Sequence, residues 1–397
     1  MKNSLTQELI QKEDWKQKNS ISLIASENIT SQNVRNALST VLTNKYTEGY
    51  PKARYYTGCE YVDEIETHCI DLVKKIFNVS WANVQPHSGS QANQAVFFAL
   101  LNPGDVILSL DLKSGGHLTH GARVSSTFQN YKIVHYYVDE NGKIDMQEVE
   151  KLAQEHKPKM IIAGASAYPF KMDFKKFRKI ADLNNSYLLA DIAHIAGLVA
   201  SKVFENPAEH AHVLTSTTHK TLRGPRGGIV FSNDIEIGKK IDKALFPGVQ
   251  GGPMMNTIAA KAVAFEEILQ DASFQEYGKQ VLKNTKILAQ TFMNNGASVL
   301  GNSAENHLLV LNTKSIGIAG KEAEQLLEKA NVYVSANAFP GDSWKDPSGL
   351  RIGTPYITTL GMKETEVQLF GQEIINALKT KNIENLKNFV INYLKRK

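Results

Sequence analysis

The sequence predicts an α/β protein built on a mainly parallel sheet with helices covering both faces. Three observations carry that expectation. Short apolar runs recur through the middle of the chain, at 106–110, 133–138, 160–165, 187–190, 213–215 and 228–231. Stretches of helical period lie between several of them, at 146–155 and 174–184, and alternation of this kind builds parallel sheets with buried faces. The residues with chemical character follow the apolar runs, and in open α/β sheets ligands gather at the carboxyl ends of the strands.

At 397 residues the chain exceeds one ordinary domain, so two lobes are expected. Hydrophobic residues make up 42% and charged residues 21%, which supplies a large core and argues against disorder. The formal charge of +5 is mild, and apart from Lys395-Arg396-Lys397 the bases are interleaved with acids. A nucleic-acid surface is therefore not expected. Cys59 and Cys69 are the only cysteines and do not form a C-x-x-C pair, so neither a disulfide framework nor a zinc site is expected. The polar N-terminus offers no signal-peptide core, and no run approaches the roughly 18 apolar residues of a membrane span. The expected location is the cytoplasm.

Taken in order, residues 5–18 have the spacing of an amphipathic helix. The run 43–60 holds Tyr46, Tyr50, Tyr55 and Tyr56 with Glu48 and Arg54, and is broken by Gly49, Pro51 and Gly58. It makes a poor helix or strand, and so many exposed tyrosines point to a site or a subunit interface rather than an ordinary loop. A helix is expected over 61–77. The turn His87-Ser88-Gly89-Ser90-Gln91-Ala92-Asn93 then opens a helix over 95–101. Such a turn presents backbone N–H groups and the positive end of a helix dipole to a phosphate, although Ser88 or Ser90 would serve equally well as a plain N-cap. After the alternating region, a helical stretch over 256–294 leads to a smaller lobe. That lobe is expected to hold strands at 298–300, 307–311 and 332–335, a helix over 321–330, and Arg351 in a glycine-flanked strand.

The segment Ser216-Thr217-Thr218-His219-Lys220-Thr221-Leu222-Arg223-Gly224-Pro225-Arg226-Gly227-Gly228 is the chemical centre of the reading. A lysine leaving a buried strand can have its amine desolvated, which lowers its pKa and makes it a nucleophile toward an aldehyde. The neighbouring hydroxyls suit a phosphate ester, so the segment suggests a Schiff base between Lys220 and pyridoxal phosphate. Asp191 ends the strand before it and suits the pyridine nitrogen of that cofactor, though a carboxylate there can equally cap the following segment. His117, in Gly115-Gly116-His117-Leu118-Thr119-His120-Gly121, is either a core histidine or a ring that stacks on the cofactor. Arg351 can clamp a substrate carboxylate or form a surface ion pair.

With these pieces in place the sequence resembles the serine hydroxymethyltransferase family over nearly its whole length. The resemblance rests on Leu23-Ile24-Ala25-Ser26-Glu27-Asn28, Glu48-Gly49-Tyr50-Pro51, Asn83-Val84-Gln85-Pro86-His87-Ser88-Gly89-Ser90-Gln91-Ala92-Asn93, Gly115 to Gly121, Ala193-His194-Ile195-Ala196-Gly197, the Lys220 segment and Arg351-Ile352-Gly353-Thr354-Pro355. It implies the pyridoxal-phosphate-dependent aspartate-aminotransferase-like fold (type I), with a large domain on a mainly parallel seven-stranded sheet and a smaller α+β C-terminal domain. The implied divisions are an N-terminal helical arm over 1–45, a cofactor-binding domain over 46–275 and a small domain over 276–397.

The implied activity is reversible transfer of the serine hydroxymethyl group to tetrahydrofolate, giving glycine and 5,10-methylenetetrahydrofolate. By the same resemblance Lys220 is the Schiff-base lysine, with His219 beside it. Gly89 and Ser90, with Gly251 and Gly252 of a neighbouring subunit, hold the phosphate. Asp191 meets the pyridine nitrogen, His117 stacks on the ring, and Ser166 and His194 lie near the phenolic oxygen. Ser26 and Arg351 bind the substrate carboxylate. Tyr46, Glu48, Tyr55 and Tyr56 cross a homodimer interface, Glu48 as the acid/base group, with dimers able to pair into a tetramer. Leu112, Gly116, His117 and Leu118 border the folate. No metal is implied.

The chain departs from the family pattern at Ser335-Ala336-Asn337, where Asn-Lys-Asn is usual, at Thr57, where glycine is usual, and in a slightly shortened Pro340–Pro347 segment. That segment normally helps enclose folate. The alternative activity is therefore a folate-independent aldolase or transaldolase acting on β-hydroxy amino acids such as threonine or allo-threonine. A binding protein that keeps the fold is a third reading, disfavoured by the intact Lys220, Asp191, His117 and Arg351.

Overall fold

The structure is a computed structural model that describes residues 4–342 and 346–396. The chain divides into two compact units, one of residues 28–279 and one combining the first 27 residues with 280–397.

The 28–279 unit is organised by a seven-stranded sheet: β1 (Trp81–Asn83), β2 (Val106–Leu110), β3 (Lys132–Tyr136), β4 (Met160–Gly164), β5 (Tyr187–Asp191), β6 (Val213–Thr217) and β7 (Gly228–Ser232). The order across the sheet is β1-β7-β6-β5-β4-β2-β3. All pairs are parallel except those of β7, which runs antiparallel to both β1 and β6. Every residue of β4, β6 and β7 is buried, as befits strands covered on both faces, and their sequences are accordingly runs of small and apolar residues rather than alternations. Helix α1 (Glu60–Phe77) buries Val62, Cys69, Leu72, Val73 and Phe77 at helical spacing and ends where Asn78 turns left-handed at φ 51°. Helix α2 (Gly89–Leu100) packs Ala92, Val96 and Phe97 with Ile107, Ile162, Leu189, Val213 and Val230 of the sheet.

The aromatic run is neither helix nor long strand, as its glycines and proline predict. It forms a 3-10 turn, Val41–Asn44, and a two-residue ribbon pairing Gly49–Tyr50 with Ala53–Arg54. Gly49 has φ +93°, and a Cβ there would lie 2.4 Å from the Ala53 carbonyl oxygen, so no other residue fits the turn. Arg54 holds this ribbon down. Its guanidinium donates to Asp63 (2.8 Å), Glu66 (2.6 Å) and the carbonyls of Thr47 (2.9 Å) and Gly49 (2.8 Å), while Gln85 donates to Glu66 (2.7 Å) and Gly49 (3.0 Å). Burial pushes the Glu66 carboxyl up, and Arg54 opposes that push. Removing one partner from a buried pair strands the other charge, at a typical cost of about 3–5 kcal/mol. Glu66→Ala is therefore expected to lower the unfolding free energy from equilibrium denaturation by up to that amount, since Arg54 keeps Asp63 as a partner; an unchanged unfolding free energy would mean that Asp63 alone satisfies the guanidinium.

The helix expected over 95–101 begins earlier, at Gly89, because Ser88 caps it by accepting from the Gln91 amide (3.2 Å). The helical stretch expected over 256–294 is two helices. Helix α3 (Met255–Gln270) ends at Asp271, which is extended and accepts from the Ser273 amide (2.7 Å) at the start of the helix Ser273–Asn294. An acidic residue two positions before a helix is a local cap signal that the continuous apolar period concealed.

The second unit is built on a four-stranded antiparallel sheet in the order β8 (Ser298–Val299), β9 (Leu308–Asn312), β11 (Gly349–Gly353), β10 (Ser335–Asn337). Leu309, Leu311, Leu350 and Ile352 pack there with Phe292, Val367, Phe370 and Ile374. Ile21–Ser22 pairs in parallel with Val332–Tyr333. The N-terminal helix Leu5–Lys18 carries the Ser4–Gln7 capping box but buries none of its residues. Among the described residues no helix is long and apolar enough to cross a membrane.

Candidate active site

The carboxyl ends of β1, β2, β4, β5 and β6 share one edge of the sheet, and the start of the antiparallel β7 returns to it. The predicted chemistry collects along that edge. Asp191 is the last residue of β5, with its side chain 10% exposed. Its Oδ2 accepts from Asn93 Nδ2 and from His120 Nε2, each at 2.9 Å, and its Oδ1 accepts from the Ala193 amide at 3.1 Å. A carboxylate can only accept, so His120 carries its proton on Nε2. Burial alone would raise the Asp191 pKa. The His120 hydrogen bond and charge, the His117 charge and Asn93 outweigh it, and hold the carboxyl well below the usual range. Asp191 is an anion at any working pH.

His117 lies 5.4 Å from His120, ring centre to ring centre. Its Nδ1 accepts from the Thr119 amide (3.2 Å) and sits 2.8 Å from the Thr119 hydroxyl. Asn93 links the pair to the sheet, donating to Thr119 Oγ1 (2.9 Å) and accepting from Thr215 Oγ1 (2.6 Å). Gly116, in the same loop, is forced: a Cβ would stand 2.2 Å from the Leu110 carbonyl oxygen. Leu112 is half-buried there and Leu118 is exposed. Ser166, two residues beyond β4, donates its amide to the Gly115 carbonyl at 2.7 Å, which joins the β2 and β4 loops.

Lys220, three residues beyond β6, is 7% exposed. Its carbonyl accepts from Asn28 Nδ2 (3.0 Å) and from the Arg223 amide (3.1 Å). Thr221 Oγ1 donates to the His194 carbonyl (3.1 Å) and accepts from the Gly197 amide (2.9 Å), so the lysine loop and the His194 segment are locked together. His219 is pushed down to about 3 by burial and by the charges of Arg226, Lys220 and Lys261, so its imidazole is neutral. Gly89, the first residue of α2, packs so closely on β6 that a Cβ would meet Thr217 Cγ2 at 2.7 Å. Ser90 follows it at the positive end of the helix dipole. Because Ser88 is the cap, the phosphate-cradle reading of Gly89 and Ser90 does not compete with the capping reading. Among the described residues, His87 Nε2 and His219 Nδ1 are buried without a hydrogen-bond partner.

A second cluster forms on the ribbon. Glu48 accepts from the Tyr46 and Tyr56 hydroxyls, each at 3.3 Å, and the two rings meet edge to face at 5.2 Å. The Glu48 carboxylate raises the pKa of the Tyr56 hydroxyl. Gly251 and Gly252 lie beside Glu48, with Cβ positions 3.5 Å from Glu48 Oε1 and 3.6 Å from Glu48 Cγ. Tyr46, Tyr55 and Tyr56 are all exposed. A third cluster lies in the other unit. Arg351 stands in β11 opposite Val310 and Ser335, and burial lowers the pKa of its guanidinium. The Gly353 amide donates to the Leu23 carbonyl (2.7 Å), which brings the segment ending at Ser26 against the strand of Arg351.

The chain matches the family model described as Serine hydroxymethyltransferase over residues 2–374. It is 53% identical to the serine hydroxymethyltransferase of Coprothermobacter proteolyticus, over 94% of this chain and 91% of that protein. It is 52% identical to the enzymes of that name from Orientia tsutsugamushi, over 94% and 88%, and Deinococcus deserti, over 95% and 93%. The chain belongs to the serine hydroxymethyltransferase family. The family depends on pyridoxal phosphate and uses tetrahydrofolate as co-substrate.

The residues present fit that cofactor. A buried, permanently ionised carboxylate suits a pyridinium nitrogen, a helix N-terminus opened by Gly89 suits a phosphate, and a buried lysine at the same sheet edge suits an aldehyde.

The sequence reading missed His120, Asn93, Thr119 and Thr215, which hold Asp191 and His117. His120 was signalled by its place three residues after His117 in a short turn; Asn93 and Thr215 sit among helix and strand residues of ordinary type and gave no signal. His117, His120 and Asp191 also lie close enough to share an ion. The hydrogen-bonded pairing of His120 with Asp191 accounts for that proximity without one.

Proposed function

We infer that this chain is a transferase that interconverts serine and glycine, passing the hydroxymethyl carbon of serine to tetrahydrofolate and forming 5,10-methylenetetrahydrofolate. Pyridoxal phosphate, when bound, supplies the aldehyde that an amine attacks and a ring that accepts the electron pair freed as the one-carbon unit leaves. The observation that carries the reading is the ionised Asp191, fixed by His120 and Asn93 at the strand edge that also bears Lys220.

The residue roles follow from that arrangement. Lys220 is the amine that holds the cofactor. Asp191 keeps the pyridine nitrogen protonated, and His120 keeps Asp191 oriented. His117 would cover the ring, Ser166 and His194 would lie near its phenolic oxygen, and Gly89 and Ser90 would receive the phosphate. His219, neutral beside Lys220, does not compete with it for a negative partner. Arg351 and Ser26 bind the substrate carboxylate. Glu48, sharing its two oxygens with the Tyr46 and Tyr56 hydroxyls, moves the proton of the substrate hydroxyl. Leu112, Gly116 and Leu118, in the loop after β2, border the folate.

Tyr46, Glu48, Tyr55, Tyr56, Gly251 and Gly252 form one group whose tyrosines are exposed, and we propose that they complete the site of a second copy in a cytoplasmic homodimer that can pair further. We assign the chain to the type I, aspartate-aminotransferase-like architecture, with an arm over 1–45, a cofactor domain over 46–275 and a small domain over 276–397. The seven-stranded sheet with its single antiparallel strand supports that assignment. The shortened Pro340–Pro347 segment falls partly outside the described residues, at 343–345. Its flank is braced by Asp342, which accepts from the amides of Phe339 (2.9 Å) and Ser348 (2.6 Å).

The test is to load the purified protein with pyridoxal phosphate and follow glycine formation from serine with and without tetrahydrofolate. Folate-dependent glycine formation is expected. Cleavage of allo-threonine with no folate-dependent turnover of serine would instead establish the aldolase.

A further inference from the structure

Lys261 lies on α3, has been given no role above, and is 1% exposed. Its Nζ donates to three main-chain carbonyls: Val84 at 2.6 Å, Gly228 at 2.9 Å and Pro86 at 3.2 Å. An ammonium has three protons, and all three are used. Val84 and Pro86 belong to the segment that leaves β1 and becomes the Ser88 cap of α2. Gly228 opens β7 and closes the loop that began at Lys220.

The two segments are already in backbone contact. The Gly228 amide donates to the Pro86 carbonyl (3.0 Å), and a Cβ on Gly228 would stand 2.3 Å from the Ser88 carbonyl oxygen. Gly227 leaves room for the lysine itself, since a Cβ there would meet Lys261 Cε at 2.5 Å. The Lys220 side of the loop is tied to the same point, with the Thr218 amide donating to the Gly227 carbonyl (3.1 Å).

Burying an ammonium is costly, and an apolar side chain of similar length would fill the space on α3 without that cost. Burial does act on this group, lowering its pKa to about 8 against the opposing influence of Cys69 and Glu66, and it still carries its charge at neutral pH. The chain thus retains a cation whose whole donor capacity is spent on the backbone beneath the Gly89–Ser90 helix start.

We propose that Lys261 is a positioning residue for the phosphate end of the cofactor: by tying Val84, Pro86 and Gly228 to one ammonium it fixes the Gly89–Ser90 amides against the β7 edge. The proposal rests on the pyridoxal-phosphate reading given above. It differs from a general packing role in one respect: removing the three donors should weaken recognition of the phosphate more than recognition of the rest of the cofactor.

The test compares pyridoxal phosphate with unphosphorylated pyridoxal by equilibrium titration of the cofactor-free full-length protein, unmutated and as Lys261→Met and Lys261→Gln. Thermal midpoints of the cofactor-free forms establish that each variant is folded, and Lys261→Gln decides the question if Lys261→Met does not fold. Lys261→Met is expected to weaken pyridoxal phosphate binding at least tenfold more than pyridoxal binding. Lys261→Gln, which keeps two donors, should recover part of that difference. Equal weakening of both compounds, or no weakening of either, would overturn the proposal. Failure of the unmutated protein to capture either compound would instead remove the cofactor reading on which the proposal stands.

Discussion

Lys220→Ala is expected to lower serine turnover by about four orders of magnitude, since it deletes the proposed nucleophile rather than weakening a contact. The backbone around Lys220 is held without its amine. Asn28 and Arg223 donate to its carbonyl, and Thr221 bridges His194 and Gly197. The variant should therefore fold with the site intact, and near-native circular dichroism should accompany the loss of turnover. Lys220→Arg keeps the positive charge but cannot act as a nucleophile, because a guanidinium does not lose its proton in a protein. It should be as inactive as the alanine variant, and recovery of turnover by arginine would show that charge alone is what the position supplies. Borohydride reduction of the loaded, unmutated protein, followed by peptide mass analysis, supplies a second readout. The cofactor mass should appear on the peptide that contains Lys220. Its appearance on a different lysine would move the nucleophile elsewhere.

The apolar runs placed the six central and edge strands because a sheet covered on both faces needs continuous hydrophobic sequence, and such runs are visible without any partner. Asp191 and Lys220 were legible for a related reason: polar residues at the ends of those runs have few other places to go. Strand β1, only Trp81–Asn83, carried no such signal. Nor did the joint between the helices ending at Gln270 and starting at Ser273, which depends on one Asp side chain. What the sequence concealed most was the support of the site. Asn93 lies on α2 and His120 in the loop after β2, 98 and 71 residues from the Asp191 they hold, and Lys261 lies 33 residues beyond the Gly228 carbonyl it holds. Such pairings are set by how strands and helices stack, and no local pattern announces them. The three clusters that the resemblance assigns to one reaction were legible as motifs. The structure adds that Tyr46, Glu48 and Tyr56 share a cluster with Gly251 and Gly252, two stretches that the sequence separates by some two hundred residues.

Asp191→Asn is expected to reduce kcat by about 10³-fold, the size of effect seen when one preorganised electrostatic partner of a reacting group is removed. The substitution is nearly isosteric, so packing against Gly164, where a Cβ would already stand 2.7 Å from Asp191 Cβ, is undisturbed. What changes is hydrogen bonding and charge. Asp191 accepts from three donors, and an asparagine cannot accept with both ends, so either the Ala193 amide or the paired donors His120 and Asn93 would face an amide nitrogen. The fixed anion is lost as well, and with it the group proposed to keep a pyridine nitrogen protonated. The KM for serine should change much less than kcat, since the substrate carboxylate is assigned to Arg351 and Ser26.

The acid side provides an independent check. The folded-state pKa of Asp191 is depressed, so its ionised form contributes stability that is fully present above the ordinary carboxylate pKa of about 4 and is lost only as pH falls through the lower folded value. Between pH 5 and 8 the unmutated protein should show no stability change traceable to this group, and the asparagine variant should be less stable throughout that window. As pH falls below about 4 toward the depressed folded value the difference between the two should shrink. A variant of unchanged kcat would show that the carboxylate is a structural cap for the Ile192–Ala193 turn, the alternative the sequence left open, and that the electron-accepting state of the cofactor is maintained by another group.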